Sequence, residues 1–510
     1  MDNYFVSSCK RVKDWICRQF GQKEKKTVHH KKFADGGEVI VWETGRAGEE
    51  AASYENLFLR KEIAGFRTNI RREQSCSIKS LTRDYLYEQL LSSGEYTFDH
   101  MLVIKDPYGE APLTALALFI LEEPACVRVT TRGDLKETDF VTELPKKKEH
   151  RVPILGMYAE KANTIVIEIL DDEGNCVKSH AFTIRTKRLP KSLRNVITVK
   201  KWTDKPAYSN IMINGGVKIH TCVFDIEGKI RYYLSRKPRG YGIFPLSDGH
   251  FFYMEKYISV PSYSNPQTVE SYDMDYFGRV FRTYLTEKGV HHTAEEKAGG
   301  NILTGSNSML EHTEDCVIEI DRQTGEIVWQ LNMAELFDET YQNMMDWCHV
   351  NSAAYYEKDR TILISLRNVH AVICVDYDTK KLRWILSDPK FWEGTKMTPY
   401  LLQPEGDVKW CYQQHAAFEI ALPDESNPQK KRIIVYDNHW AKRRKAKSFD
   451  KDPLSYVSFY DIDEEKKTVS LHKRFAGPKT RIRANGIYVP DKKRVYNMAG
   501  SYAEPVDGDG

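Results

Sequence analysis

Three histidines at corresponding places in a repeated pattern are the side chains of this sequence best suited to chemistry. His292, His349 and His415 each open a copy of the same phrase. A neutral imidazole can act as a nucleophile, or as a general acid or base near neutral pH. Arg367 ends the strand expected to pair with the one that His349 begins, and its planar guanidinium offers a fork of donors to a tetrahedral oxyanion. These four residues predict a site for an anionic substrate.

A metal site is the less favoured interpretation of this cluster. Asp346 is the one acidic residue that stands beside the histidines in the sequence, and histidine-based metal sites usually add a carboxylate or water. A nucleotide site is not indicated either, because no G-x-x-x-x-G-K-[ST] phosphate-binding loop occurs. We therefore predict no metal and no cofactor.

The elements that must position these side chains are β-hairpins in a repeat over residues 205–505. An apolar run, a turn and a second strand recur around Asp225, Asp275, Asp321, Asp376 and Asp461. A second hairpin accompanies each copy, which gives four strands per unit, the content of a propeller blade. About 300 residues at roughly 50 per unit predict six blades. The first strand of each blade lines the central channel, so the histidines should converge there.

Two further regions precede the repeat. Residues 95–192 contain short β-rich runs broken by Pro, Gly and Asp, which predict a small β-sandwich. It contains no catalytic cluster, so we expect packing or homodimerisation to be its role. Residues 1–94 predict a partly helical arm with a short helix at Thr82–Ser92. The predicted fold class is all-β: a six-bladed β-propeller preceded by a small N-terminal β-sandwich.

The composition of the 510-residue chain narrows its partners and compartment. The formal net charge of +3 argues against nucleic acid as the main partner. No run of 18 or more apolar residues occurs, so no membrane contact through a spanning helix is expected. The first residues show no apolar signal segment, and the ten cysteines form no C-x-x-C pair. These patterns predict a cytoplasmic protein.

Four short motifs stand near the histidines and the arginine: DWCHVNS at 346–352, SLRN at 365–368, WILSDP at 384–389 and QHAA at 414–417. Together they resemble the bacterial arylsulfate sulfotransferase family of six-bladed propellers. His291 and His292 are followed by Thr293, where the family usually has Asp. The similarity runs from about residue 95 to residue 505. Family members with signal peptides are periplasmic.

The resemblance implies a nucleotide-independent, ping-pong transfer of a sulfuryl group through a sulfohistidine. The donor would be a phenolic sulfate ester and the acceptor a phenol. The QHAA motif implies that His415 is the nucleophile. The assisting residues and further substrate contacts that it implies are His292, His349, Arg367, Asn351 and His291. Sulfuryl transfer resembles phosphoryl transfer, in which positioning and electrostatic stabilisation dominate. Which of His292 and His349 handles the proton stays open.

Two alternatives remain open. The stretch Thr324–Trp329 resembles the repeat of quinoprotein dehydrogenases, in which Trp329 and Trp384 would dock the blades. Quinone and calcium binding would, however, need carboxylates at the channel. The other alternative is a non-enzymatic propeller scaffold, which gives no reason for three axial histidines and an arginine.

Overall fold

The chain is almost entirely built from β-strands. The computed structural model describes residues 28–33, 37–42, 75–200, 206, 208–213, 220–236, 242–258, 267–308, 312–342, 344–422, 426–440, 454–482 and 484–500. Within those ranges one α-helix, α1 (Ser75–Ser92), accompanies 28 strands. The predicted all-β class is therefore confirmed, and the helix predicted at Thr82–Ser92 is the second part of α1. No helix in the described ranges is long and apolar enough to cross a membrane.

Two compact units divide the chain. The first comprises Met1–Pro238, Gly249–Tyr253 and Tyr272–Thr283, and the second comprises Arg239–Asp248, Met254–Ser271 and Tyr284–Gly510. The predicted domain limits of 1–94, 95–192 and 205–505 stay predictions.

A seven-stranded sheet dominates the first unit. Its strands are β1 (Val28–Lys32), β2 (Glu38–Trp42), β3 (His100–Lys105), β4 (Ala115–Thr131), β5 (Phe140–Ile154), β6 (Ala162–Leu170) and β7 (Cys176–Arg185). They are ordered β1-β2-β3-β4-β6-β7, and β5 pairs with the other edge of β4. All pairs are antiparallel except β2 with β3. The hairpin β1–β2 lies in the segment that the sequence predicted as a partly helical arm.

Side-chain alternation along β3 and β4 gives this sheet two apolar faces. Leu102 and Leu118 pack with Tyr87 and Leu90 of α1. The alternate residues Val103 and Phe119 face a larger apolar core on the opposite side. This is the period of two that a pleated strand imposes. The apolar run in β4 is continuous because both of its faces are buried.

The repeat region continues the β-structure. A three-stranded antiparallel sheet contains β8 (Asn210–Ile213), β9 (Cys222–Asp225) and β10 (Ile230–Tyr233). The next seven strands follow one another in sheet order: β11 (Gly242–Pro245), β12 (Phe251–Ile258), β13 (Gln267–Met274), β14 (Val280–Glu296), β15 (Ile302–Ser306), β16 (Cys316–Ile320) and β17 (Ile327–Asn332). The strands β14 to β17 form one antiparallel meander.

Two further meanders follow in the second unit. The first contains β18 (Val350–Tyr356), β19 (Thr361–Leu366), β20 (Ala371–Asp376) and β21 (Leu382–Leu386). The second contains β23 (His415–Ile420), β24 (Lys430–Asp437), β25 (Leu454–Asp463) and β26 (Thr468–Pro478), with β22 (Gln403–Pro404) parallel to β26. A hairpin of β27 (Asn485–Val489) and β28 (Arg494–Met498) ends the described chain.

The four-stranded meanders have the strand content predicted for a propeller blade, and we call each one a blade. The first strands β18 and β23 contact each other, and β18 also contacts β15 of the preceding meander. This arrangement brings the starts of β18 and β23, where His349 and His415 lie, close to the β14–β15 pair that carries His292. The total of six blades stays a prediction.

Short 3-10 turns connect several strands. They are Lys136–Thr138, Lys191–Leu193, Met333–Glu335, Glu339–Tyr341, Arg367–Val369, Pro389–Phe391, Thr398–Tyr400 and Pro490–Lys492. The turn at Arg367–Val369 matters most for the site, because it follows β19 and carries a predicted catalytic residue.

Four of the five repeat aspartates form the predicted turns. The Oδ1 atoms of Asp225, Asp275, Asp321 and Asp376 accept hydrogen bonds from backbone N–H groups two or three residues later. The fifth assignment, Asp461, is wrong, because Asp461 lies within β25 and pairs with Arg432. Asp463 holds the turn instead, and its Oδ1 accepts from the Lys466 N–H at 3.0 Å. A shift of two residues leaves strand alternation unchanged, so the sequence pattern could not distinguish them.

Candidate active site

Strand starts and the turns between strands position the predicted site residues in the second unit. His415 is the first residue of β23, and His349 immediately precedes β18. His292 lies within β14 where its pairing with β15 shifts register. Arg367 opens the 3-10 turn after β19, and its backbone N–H donates to the His349 carbonyl at 3.1 Å. His349 and His415 therefore stand at strand starts, whereas His292 stands at an irregularity inside β14, so the three histidines do not share one register position.

Several site residues adopt left-handed backbone conformations. The φ angles are +58° at His292, +55° at His349 and +55° at Glu314. Side chains other than glycine rarely adopt this region, and such strained positions cluster at functional sites. Each of these residues stands where a strand begins or bulges, so the turn geometry aims its side chain.

His415 is a neutral imidazole with a defined tautomer. Its Nδ1 lies 2.6 Å from Oδ1 of Asn438. The amide of Asn438 is oriented by its own Nδ2, which donates to Oγ1 of Thr480 at 2.9 Å. An amide oxygen only accepts, so Nδ1 of His415 carries the proton and Nε2 keeps its lone pair. Burial lowers the pKa of His415 to about 3, and the nearby charges of Arg367 and His349 act in the same direction.

The residue before His415 anchors this strand start. Nε2 of Gln414 donates to the carbonyls of Ala371 and Leu366, at 2.7 and 3.2 Å. The Gln414 carbonyl in turn accepts from Nδ2 of Asn351 at 2.8 Å. Both contacts tie β23 to the preceding blade. The glutamine of the QHAA motif thus has a positioning role, and a contact of Asn351 with the substrate stays a prediction.

His349 is held by two carboxylates. Its Nδ1 lies 2.5 Å from Oε2 of Glu314 and 3.0 Å from both carboxylate oxygens of Asp346. Burial alone would lower the pKa of His349, but these two acidic groups outweigh burial and raise it to about 9. Burial alone would raise the pKa of Glu314, but the charge of His349 holds it well below its ordinary value. His349 and Glu314 therefore form a buried ion pair at neutral pH.

The sequence showed only one acidic residue, Asp346, beside the histidines, and the prediction that the cluster is poor in carboxylates is therefore wrong. Glu314 is fully buried between His292 and His349, yet it is distant from both in sequence. It stands just before β16, the third strand of its blade, whereas the motif histidines stand at first strands. Glu314 is close to these histidines in the fold but not along the chain, so spacing in the sequence could not predict it.

His292 differs from His349 in its partners. Nε2 of His291 lies 2.8 Å from the Ser306 carbonyl, so it carries the proton and Nδ1 of His291 accepts. Nδ1 of His292 lies 3.1 Å from that acceptor, which makes His292 its donor. Burial lowers the pKa of His292 well below its ordinary value, although Glu314 opposes this. His292 is therefore neutral and keeps its lone pair on Nε2.

His291 has both ring nitrogens engaged with protein atoms, and its side chain is fully buried. It therefore orients His292, and its predicted contact with the substrate stays untested. Gly305 makes room for it, because a Cβ on Gly305 would lie 2.7 Å from Cε1 of His291. The rings of His292 and His349 meet edge to face with centroids 4.8 Å apart.

Arg367 completes the group. Its Nη1 donates to Oδ1 of Asn368 at 3.1 Å, and its Nη2 donates to Oε1 of Gln413 at 3.2 Å. These contacts hold the guanidinium close enough to His415 to depress the pKa of that imidazole. The arrangement places a fixed cation beside a neutral imidazole, which suits the binding of an anionic group.

A column of buried asparagines supports the site, and the sequence interpretation missed it. Asn307, Asn368 and Asn438 each follow the second strand of a blade. Oδ1 of Asn307 accepts from the Glu314 N–H at 2.8 Å, and Nδ2 of Asn368 donates to the Asp346 carbonyl at 2.7 Å. Asn438 binds His415 directly. The signal was visible in the sequence as an Asn after the strands ending GS, SLR and YD.

Two overlapping sets of donors are close enough together for a cation. One is His291, His292 and Glu314, and the other is Glu314, Asp346 and His349. The separations of 3.1 Å between His292 and His291 and of 3.0 Å between His349 and Asp346 are those of hydrogen bonds, and the 2.5 Å contact of His349 with Glu314 is an ion pair. Shared protons account for this geometry, so we interpret the groups as a hydrogen-bonded network and do not assign them as metal ligands.

A neutral histidine beside a fixed arginine, carried on β-blades, is suited to an enzyme that transfers anionic groups. Two family models match the chain in order along the sequence. The arylsulfotransferase Ig-like domain matches residues 102–187, and the arylsulfotransferase (ASST) model matches residues 196–504. The chain belongs to the arylsulfotransferase family. The predicted enzyme class, aryl-sulfate sulfotransferase, is thereby confirmed, and the Ig-like model matches in the region for which the sequence predicted a small β-sandwich.

Individual relatives agree with the family models. Arylsulfate sulfotransferase AssT from Lelliottia amnigena is 21% identical, and the protein of that name from Escherichia coli O6:H1 strain CFT073 is 22% identical. Each alignment covers 72% of this chain and 78% of the relative. Family membership, and not a lack of carboxylates, is what disfavours the quinoprotein and scaffold alternatives.

Proposed function

We propose that this enzyme transfers a sulfuryl group from a phenolic sulfate ester to a phenolic acceptor in two displacements, with sulfo-His415 as the intermediate. The observation that carries the proposal is the state of His415. It is neutral, its Nδ1–H is committed to Asn438, and its Nε2 holds a lone pair beside Arg367. Nucleophilic catalysis needs an unprotonated, oriented nitrogen of this kind.

In the first displacement, Nε2 of His415 attacks the sulfur of the aryl sulfate. The N–S bond forms while the bond between sulfur and the aryl oxygen breaks, and the phenolate leaves with that electron pair. The sulfated imidazole acquires a positive charge, which the Oδ1 of Asn438 stabilises through the retained Nδ1–H. Arg367 stabilises the negative charge on the sulfuryl oxygens, where charge spreads in a loose transition state.

The second displacement reverses the first with a different phenol. The acceptor loses its proton and its oxygen attacks the sulfur. The N–S bond breaks, and its electron pair returns to Nε2, which restores the neutral His415. No bond to a nucleotide forms in either half, so an aryl sulfate alone is a sufficient donor.

The decisive experiment is mass spectrometry of the enzyme mixed with an aryl sulfate in the absence of acceptor. We expect one additional sulfuryl group on the peptide that contains His415. The variant His415→Asn should take up no label, and His472→Asn, which changes a half-exposed histidine of β26, should label normally. A label on another residue, or full transfer without any label, would overturn the two-displacement mechanism.

A further inference from the structure

We propose that Glu314 is a positioning residue whose contact with Nδ1 of His349 makes His349 the proton donor to the leaving phenolate, and leaves His292 to orient the sulfuryl group. The inference rests on the proposed function and deepens it. It assigns separate roles to two histidines that the sequence could not distinguish. Glu314 belongs to none of the sequence motifs.

The geometry around His349 is asymmetric. Its Nδ1 faces Oε2 of Glu314 at 2.5 Å and the Asp346 carboxylate at 3.0 Å, so this nitrogen must carry a proton. An imidazole whose Nδ1–H is shared by two carboxylates can also hold a proton on Nε2. That second proton is the one available for transfer.

The charged and titratable groups that face His349 come from every element around it. They are Glu314 before β16, Asp346 before β18, Arg367 after β19, His291 and His292 on β14, and His415 on β23. Two are carboxylates in direct contact, and the three histidines are neutral. The carboxylates therefore prevail over burial, and the pKa of His349 rises to about 9.

His292 cannot take the same role. Its Nδ1 is 3.8 Å from Oε1 of Glu314, beyond hydrogen-bond distance, and 3.1 Å from the Nδ1 of His291. The Ser306 carbonyl fixes the tautomer of His291, and so it fixes that of His292. A neutral imidazole with one committed N–H has no proton to give, but its Nε2 lone pair and fixed ring can orient a substrate.

The proton balance closes over both displacements. In the first, Nε2 of His349 gives its proton to the phenolate oxygen, and the product leaves as a neutral phenol. His349 keeps its Nδ1–H on Glu314. In the second, the neutral Nε2 of His349 takes the proton of the incoming phenol as its oxygen attacks sulfur. A pKa of about 9 for His349 lies close to the phenol value of about 10, so transfer is nearly balanced in both directions.

The test measures kcat of the Glu314→Gln variant against pH with two sulfuryl donors, phenyl sulfate and nitrophenyl sulfate. Protonated His349 is needed for the first displacement, so wild-type activity should be lost as the pH rises through about 9. Removing the Glu314 charge lowers the pKa of His349, so this loss should move toward acid by at least about one pH unit. With phenyl sulfate, kcat at pH 8 should fall by about 10²- to 10³-fold. With nitrophenyl sulfate, whose leaving group needs little protonation, it should fall by about tenfold or less.

The matched control is Glu319→Gln. Glu319 is also buried and lies on β16, where it binds Lys297 and Asn301. The Glu319→Gln variant should be less stable than wild type, but its kcat should be lost over the same basic pH range. The Glu314→Asp variant keeps the charge, so the basic pH at which its kcat is lost should be closer to that of wild type. Loss of kcat over an unchanged basic pH range in Glu314→Gln, or an equal loss with both donors, would overturn the proposal.

A second measurement needs no variant to fold and no substrate. NMR titration of wild-type enzyme labelled with ¹⁵N-histidine should show His349 protonated above pH 8, and a midpoint below pH 7 would overturn the proposal. The outcome is separate from that of the labelling experiment. If His349 titrates near 9 but His415 takes up no sulfuryl group, the two-displacement mechanism fails while the pairing of Glu314 with His349 stands.

Discussion

At the scale of single residues, the hydrogen-bond partner of each imidazole decides its charge. His415 meets an amide oxygen and stays neutral, whereas His349 meets two carboxylates and holds a proton. Burial strengthens this contrast because charges and dipoles interact more strongly away from water. Three chemically identical side chains thus take different roles within one site.

The nucleophile and the arginine should respond differently to substitution. His415→Ala should abolish both transfer and label uptake, because no covalent intermediate can form. Arg367→Ala should slow transfer by about 10²- to 10³-fold, the range for a lost oxyanion donor, and Arg367→Lys should recover only part. Steady-state rates with one aryl sulfate and one phenol measure both. Equal losses in His415→Ala and Arg367→Ala would remove the distinction between nucleophile and stabiliser.

Asn438 offers a test of the His415 charge state through pH. In the wild type the pKa of His415 is about 3, so lowering the pH from 7 to 5 should not protonate it. Asn438→Asp places a carboxylate on Nδ1 and raises that pKa, so the nucleophile is lost as the pH falls through the new value. The acidic limb of kcat/KM should therefore move to higher pH. Thr480→Val, which removes only the partner of Asn438, should leave the limb where it is.

The residues of the site were predictable in part. The motifs predicted His415, His349 and Arg367, because short spacings place them at strand starts and turns of one repeat. Glu314 and Asn438 were not predicted, because their roles depend on contacts between strands that are remote in sequence. A side chain that works through another residue leaves no spacing pattern beside the motif that it serves.

At the scale of elements, the turns that follow the second strands of the blades hold the site residues in position. Asn307, Asn368 and Asn438 each bind a segment of the site, at Glu314, Asp346 and His415 respectively. The hairpins themselves were predictable from alternation and from turn aspartates. The exact register of the last blade was not, since a shift from Asp461 to Asp463 preserves alternation.

Gly305 tests how closely β15 must pack against the His291 ring. Gly305→Ala should displace the His291 ring, because the new Cβ would lie 2.7 Å from Cε1. We expect a stability loss of about 1–3 kcal/mol and a fall in kcat, since His292 would lose its orientation. Thermal unfolding and steady-state kinetics measure the two effects. Gly394→Ala is the control: its φ of +73° makes Ala strained, but its Cβ would meet no atom within 4 Å. That variant should lose stability without losing activity.

At the scale of the whole molecule, the fold class and the order of the domains followed from sequence. Regular turn spacing in the second region and β-rich runs in the first predicted them, and the family models match in the same order. The hairpin β1–β2 was not predicted, because its His-Lys-rich first strand resembles a solvated arm. This polar segment becomes a strand because it pairs with the apolar strand β2, which itself pairs with β3.

The complete enzyme should need no added cofactor. Activity with an aryl sulfate and a phenol should survive dialysis against a chelator, because an ion pair accounts for the contact of Glu314 with His349 and a hydrogen bond joins His292 to His291. Residual activity after dialysis, compared with a sample dialysed without chelator, measures this. Loss of activity that a divalent cation restores would show that these donors hold an ion.

The ion pair of His349 and Glu314 joins two neighbouring blades, since Glu314 precedes β16 and His349 precedes β18. The Val350 N–H also donates to the Glu314 carbonyl at 2.7 Å. If heat loosens the contact between these two blades, water reaches the ion pair and the pKa of His349 returns toward its ordinary value near 6.5. The enzyme would then lack its acid while every strand is still intact. Enzyme activity would then report whether the two blades are still in contact, and thermal inactivation should precede the melting of the β-sheets.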